Sequence, residues 1–458
     1  MRKKDVNMLS GSIVKGLLTI SIPIMVMNVI QSLYNIIDMT ILKSYDAGGG
    51  SAVGAVGVCG TLITTITGLV IGISSGANVV IAKHIGRRDV RHVERAVGTA
   101  MAFSAASGVL LSLIGLVFAD LLLKLVNCPE KLLEQATTYF RLYFAGVPLL
   151  MVYNFSVSVL RSAGNSRQPM VFLTTGGAVK VALTYLLVAR MDLGVVGVAV
   201  ATILSWLLMA AMSVIVLLRT DSIVKLRPGS IRFYKQELLD ILRIGVPAGL
   251  QKALYSIANV IISATVNSFG DQATTGISIA NQFDNILYQI SCATSFAVMP
   301  YVSQNVGSRN IKRAMESVWK GILITVALGA SFGALSAIFS PQLSSIMSSD
   351  PVVIAYSCQK MIIISSTYFI CGINEIFGAA LRGMGKPVAA TTATLIFMCL
   401  LRFVWVYLIF PLNPNLTFLY LVWPVGWSLS IATLLFTFFP TRKKLYLEMG
   451  QAASVSKQ

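Results

Sequence analysis

Apolar runs of 20 or more residues recur along the whole of this 458-residue chain, separated by short clusters of charged and turn-forming residues. About 20 apolar residues make a helix long enough to cross a hydrocarbon core of about 30 Å. In lipid only a helix or a closed barrel satisfies its own backbone hydrogen bonds. A spanning barrel would show alternating segments of about ten residues, and these are absent. Hydrophobic residues make up 55% of the chain and charged ones 12%, the latter about half of what soluble domains carry. Two or three soluble domains are therefore excluded, and the chain reads as an all-α membrane protein.

The runs fall into two related halves. The stretch from Lys83 to Arg91, with Gly86, Arg88 and Asp89, matches the stretch from Gln304 to Lys312, with Gly307, Arg309 and Asn310, at an offset of 221 residues. Arg95-Ala96-Val97 and Ser317-Val318 continue the two stretches, and the same offset aligns Leu160-Arg161-Ser162-Ala163-Gly164 with Leu381-Arg382-Gly383-Met384-Gly385. An internal repeat built from hydrophobic spans is the signature of a secondary transporter. Twelve spans are predicted, near 13–42, 52–81, 95–121, 134–160, 168–190, 195–218, 238–266, 275–303, 315–340, 353–381, 388–410 and 418–440.

Net charge is +18, but the basic residues sit in short loops between apolar spans, which argues for membrane orientation and against nucleic acid. With the N-terminus inside, 27 of the 36 Lys and Arg residues are cytoplasmic. Six are on the outer side (Lys43, Lys124, Lys131, Arg141, Arg190 and Lys360), and three lie within spans (Lys180, Lys252 and Arg402). This asymmetry predicts a multi-pass protein of the cell (inner or plasma) membrane with both termini cytoplasmic. Six spans per half then make the halves parallel repeats. The expected division is a six-helix lobe over 1–218, a linker over 219–237, a second six-helix lobe over 238–440 and a tail over 441–458. The linker carries Pro228-Gly229 and mixed charge, and the tail from Gln451 is small and polar, expected to be disordered.

Arg2, Lys3 and Lys4 precede an apolar stretch as in a signal peptide, but no small-residue cleavage site follows, so a retained first helix is expected. The six cysteines show no CxxC spacing and read as small packing residues. His84 and His92 share one basic loop and are expected to be solvated. No metal site and no catalytic residue is predicted.

The order of features resembles the multidrug and toxic-compound extrusion (MATE) family. The residues that carry the resemblance are Pro23, Gln31 and Asp38 in the first span, the Gly86/Arg88/Arg95-Ala96 loop, the Leu160-Arg161/Gly164 loop, and both loops again in the second half. It covers residues 8–445. It implies a pair of six-helix lobes, export by alternating access, and coupling to inward flow of Na⁺ or H⁺ with no other cofactor. In that family the first-span Asp is implicated in coupling. One departure stands out: some branches carry an acid eight residues after the seventh-span Pro, where this chain has Tyr255.

A charge within a bilayer costs roughly 3 kcal/mol on insertion scales, so each needs a reason. The acids within spans are Asp38, Asp284 and Glu375, and the bases are Lys180, Lys252 and Arg402. Gln31, Tyr34, Asn35 and Asp38 recur at helical spacing and form one polar stripe. Such a stripe suits cation coupling, or alternatively a structural hydrogen bond to a neighbouring helix. Asn154 aligns with Glu375 at the 221 offset, and, once extra residues before Pro169 are allowed for, Thr184, one turn from Lys180, aligns with Arg402. Asn154, Lys180, Thr184, Lys252, Tyr255, Asp284, Glu375 and Arg402 are thus candidates for a substrate cavity or an ion-pair network. In the second lobe Asp284 or Glu375 is expected to pair with Arg402 or Lys252, giving formal neutrality. Pro23 and Pro247 are expected bending points. Trp206, Trp405, Trp423 and Trp427 are expected in an interfacial belt.

The function these features imply is cation-coupled export of organic, often amphipathic or cationic, small molecules by a protein working as a monomer in the lipid bilayer. The alternative is a flippase for lipid-linked or polysaccharide intermediates. No HExxH, paired Asp-rich motif or Ser/His/Asp set supports an enzyme.

Overall fold

The computed structural model describes residues 6–45, 51–126 and 128–455, apart from the side chains at 35, 51, 53, 61 and 449–455. Among the described residues there is no β-strand. Twelve long helical segments follow one another: α1 (Ile13–Tyr45), α2 (Ser51–Gly86), α3 (Val90–Leu125), α4 (Glu130–Ser162), α5 (Arg167–Arg190), α6 (Gly194–Arg219), α7 (Lys235–Asn267), α8 (Asp271–Gly307), α9 (Ile311–Ile338), α10 (Pro351–Ser365 and Tyr368–Gly383), α11 (Pro387–Leu412) and α12 (Leu416–Glu448). Nine of these are long and apolar enough to cross a membrane, and α10, bent by 44°, makes ten. The other two, α7 and α8, are as long but more polar. The final helix runs on to Val455, beyond the expected limit near 440. Arg2, Lys3 and Lys4 lie outside the described residues.

Helix α3 turns its large apolar side chains outward over its second half. On α3, Leu110, Ile114, Val117, Leu121 and Leu125 are exposed, while Gly108, Ser112, Gly115 and Ala119 are buried. Helix association in lipid gains nothing from hiding leucine from hydrocarbon, so small residues that allow close backbone approach face inward. A Cβ at Gly115 would lie 1.7 Å from the Phe144 ring of α4, and one at Gly108 would lie 2.7 Å from the Pro148 Cα.

The repeated loops are matched helix ends. Arg88 and Arg309 adopt positive φ (58° and 61°), and the next residue of each, Asp89 or Asn310, caps the following helix. The Asp89 carboxylate accepts from the His92 N–H and the Asn310 side chain from the Arg313 N–H. The backbone N–H of His92 holds the Asp89 carboxyl below the usual carboxylate range. That cap is therefore complete near neutral pH and is lost as pH falls through the lowered value. His92 also contacts Asp89 at 2.6 Å and stacks on His84. After α4 and α10, Gly164 and Gly385 take φ of 83° and 78° and donate to Arg161 and Arg382 carbonyls. Only glycine adopts that conformation without penalty, which explains why both loops recur with their glycines. The six cysteines are free thiols, four of them buried.

The described chain forms two compact units. One comprises Val26–Ile85 and Asp89–Gly249; the other comprises Asn7–Met25, Gly86–Arg88 and Leu250–Gln458. The start of α7 thus belongs with the first repeat and the start of α1 with the second. Both changes of unit occur two residues beyond a helix proline, Pro23 and Pro247.

In the first unit α2 crosses the start of α7 through two Gly-x-x-x-Gly pairs, Gly72/Gly76 and Gly245/Gly249. A Cβ at Gly72 would lie 2.3 Å from the Gly249 Cα, one at Gly76 2.2 Å from the Ile241 carbonyl oxygen, and one at Gly245 2.4 Å from the Ile73 carbonyl oxygen. Gly72→Val and Gly76→Val should each destabilise the protein by about 1–3 kcal/mol through overpacking. Thermal unfolding in detergent measures this, and unchanged midpoints for both would refute the crossing.

Candidate functional site

The polar stripe of α1 docks on α5. Tyr34 donates from its hydroxyl to the Thr174 carbonyl oxygen at 3.0 Å, and its ring lies over Gly177, where a Cβ would be 1.7 Å from it. One turn further, the Asp38 carboxylate meets the Lys180 ammonium at 2.5 Å, with side chains 6% and 18% exposed. Glycine at 177 is what brings the two helices close enough for both contacts. The Asp38 Oδ1 has no hydrogen-bond partner among the described residues. Of the other stripe residues, Gln31 is exposed and the Asn35 side chain lies outside the described residues. Thr184 is fully buried, at the point where α5 passes into a π-type turn over Tyr185–Arg190. Asn154 donates to the Leu150 carbonyl oxygen of its own helix.

In the second lobe the charges pair differently from expectation. Asp284 on α8 pairs with Lys360 on α10 at 3.0 Å, and Lys360 also bonds Asn281. Glu375 faces Arg382 on the same helix at 4.0 Å, and Arg382 donates to Gln251 at 3.3 Å. Neither acid pairs with Lys252 or Arg402. The reason is rotational: Lys360, counted on the outer side, points into the lobe from α10, and Arg382, counted as a cytoplasmic helix-end cation, is 9% exposed. Among the described residues the lobe therefore sets the buried Lys360, Arg382 and Arg402 and the half-buried Lys252 against the buried Asp284 and the half-buried Glu375, and formal neutrality is overturned.

Lys252 donates to the Tyr288 hydroxyl at 2.8 Å. Arg402 donates to the Asn259 side-chain oxygen at 2.6 Å and lies over the rings of Tyr255 and Trp423, 4.5 and 5.4 Å from their centroids. Lys252, Tyr255, Tyr288, Glu375 and Trp427 line a narrow cleft with room for about one water molecule in this conformation. Trp206, Trp405 and Trp427 are buried, so an interfacial belt does not describe them. Pairing of Trp405 Nε1 with the Phe418 carbonyl oxygen explains how one of them is held inside.

The MatE family model matches the chain twice, over residues 23–186 and 247–408. The chain belongs to the multidrug and toxic-compound extrusion (MATE) family. The probable multidrug resistance proteins YpnP and YoeA of Bacillus subtilis (strain 168) are 26% and 25% identical to it. The first alignment covers 86% of this chain and 87% of YpnP, the second 82% of each protein. A solved outward-facing MATE transporter of the MOP superfamily superposes with a TM-score of 0.88 at 20% identity, over 98% of this chain and 100% of that one.

This MATE chain is thus a multi-pass membrane protein of a transporter family. Lys360 and Arg382 are the site residues that sequence reading missed. Both lie near span ends in linear count, so the positive-inside rule assigned them to solvent. The helical phase was a usable signal for Lys360: Ser357, Lys360, Met361 and Ile364 share one face, and all are buried.

Proposed function

We propose that this chain is a secondary active exporter of organic, often amphipathic small molecules, driven by inward flow of Na⁺ or H⁺ and working by alternating access of its two lobes. The observation that carries the coupling is the Asp38–Lys180 pair, a buried carboxylate whose counter-charge is a side chain. Among the described residues Asp38 keeps one oxygen without a partner, so an entering cation finds a ligand there and competes with Lys180 for the carboxylate. Neutralising Asp38 removes the attraction that ties α1 to α5. Because α1 changes unit just after Pro23, loosening that tie has a route to the second lobe, and Pro247 gives α7 the equivalent bending point. Relatives named as multidrug resistance and multidrug export proteins support an organic cargo. The protein acts as a monomer in the cell membrane with both termini cytoplasmic.

The test is dye export from proteoliposomes holding the purified chain, with Na⁺ and pH gradients imposed separately. Export should follow one gradient and stop when it collapses; export indifferent to both would overturn coupling. Orientation is checked by single cysteines in the 219–234 linker on a cysteine-free background. They should label only from the cytoplasmic side of intact cells, and labelling from outside would overturn the topology.

A further inference from the structure

Among the described residues the second lobe holds two inward-facing bases, the buried Arg402 and the half-buried Lys252, that no carboxylate matches. Of its four, Lys360 is committed to Asp284 and Arg382 to Glu375. Among the described residues, no carboxylate lies within 4.0 Å of Lys252 or Arg402. Their partners are a phenol, an amide oxygen and aromatic ring faces. Such groups orient a cation without neutralising it. A desolvated, uncompensated charge is costly, and that cost falls when an anion arrives beside it.

The two bases lie over two different aromatic rings, Lys252 over Tyr288 and Arg402 over Tyr255. Lys252 precedes Tyr255 by three residues on α7, so the two share a helix face, and the Arg402 guanidinium lies over the Tyr255 ring. Lys252 and Tyr255 line the cavity together with Met398, Cys371 and Trp427. The cavity thus has a cationic end and apolar, aromatic walls. One acid, Glu375, also lines it, and Arg382 stands beside that acid.

We propose that this cavity binds the anionic head group of an amphiphilic cargo, a carboxylate, sulfonate or phosphate, with Lys252 as the direct contact. Arg402, one ring away, adds its field, and the cleft widens on binding so that the tail seats against Trp427 and Met398, which line it. Monovalent organic cations are disfavoured there by like charge. This rests on the export reading but makes a separate claim about charge.

The test uses two xanthene dyes of similar shape and opposite charge, fluorescein (anionic) and rhodamine 123 (cationic). Binding is measured by fluorescence anisotropy with the full chain in nanodiscs, and export is measured in proteoliposomes. The wild type should bind fluorescein more tightly than rhodamine 123. Lys252→Met keeps most of the stem and should weaken fluorescein at least about tenfold, the worth of one charge-assisted hydrogen bond. Lys252→Arg should retain fluorescein binding, and Glu375→Gln should strengthen it. Equal or tighter rhodamine 123 binding by the wild type, or unchanged fluorescein affinity in Lys252→Met, overturns the proposal. Gradient-driven export of rhodamine 123 in that case would leave the export reading standing, whereas anion-selective binding without export of either dye would overturn export alone.

Discussion

Asp38→Asn should abolish gradient-driven export and lower stability by about 3–5 kcal/mol. Both effects follow from one pair. The Asp38 carboxylate and the Lys180 ammonium are 2.5 Å apart and largely shielded from solvent, so removing the carboxylate leaves a buried cation uncompensated. The Asn side chain keeps the shape but supplies no charge for a coupling cation to displace. The double variant Asp38→Asn/Lys180→Met removes both charges and should recover most of the stability, because an apolar replacement of a buried pair is often neutral, while export stays lost. Thermal unfolding and gradient-driven dye efflux, measured on the wild type and both variants, separate the two roles. Wild-type efflux in Asp38→Asn at equal expression would refute coupling through this residue. Equal destabilisation of the single and double variants would refute the pairing.

The second large effect is expected at Lys360. Lys360 and Asp284 are nearly inaccessible to solvent and 3.0 Å apart, so Lys360→Met should cost about 3–5 kcal/mol. Asp284→Asn added to it should restore part of the loss. The Glu375–Arg382 contact is longer, 4.0 Å, so its double-mutant coupling should be smaller. Arg402→Gln combined with Asp284→Asn should give additive losses, since the two are not partners. Strong coupling between Arg402 and Asp284, with none between Lys360 and Asp284, would mean that the lobe pairs its charges as the span-by-span reading expected.

Local rules and counting carried the sequence a long way. The twelve helices, the two repeats and the turn glycines Gly164 and Gly385 all follow from one-dimensional signals. Apolar length decides a span in lipid, and a helix end takes its cap from residues within one turn. The acids and most of the bases within spans were also legible, because any charge between apolar runs stands out. Which base meets which acid was not legible. Pairing depends on how each helix is rotated about its axis and on where neighbouring helices touch. A change of one residue in register turns a side chain by about 100°. Thus Lys360, near a span end in linear count, faces Asp284 across α8 and α10, while Arg402 turns to Asn259 and two aromatic rings. The exchange of the starts of α1 and α7 between the two units is likewise a tertiary outcome. The sequence by itself determined the membrane class, the spans, the repeat and the inventory of charges. Only the tertiary structure decided their partners, because side-chain contact is set by helix rotation and packing, and neither is written in hydropathy.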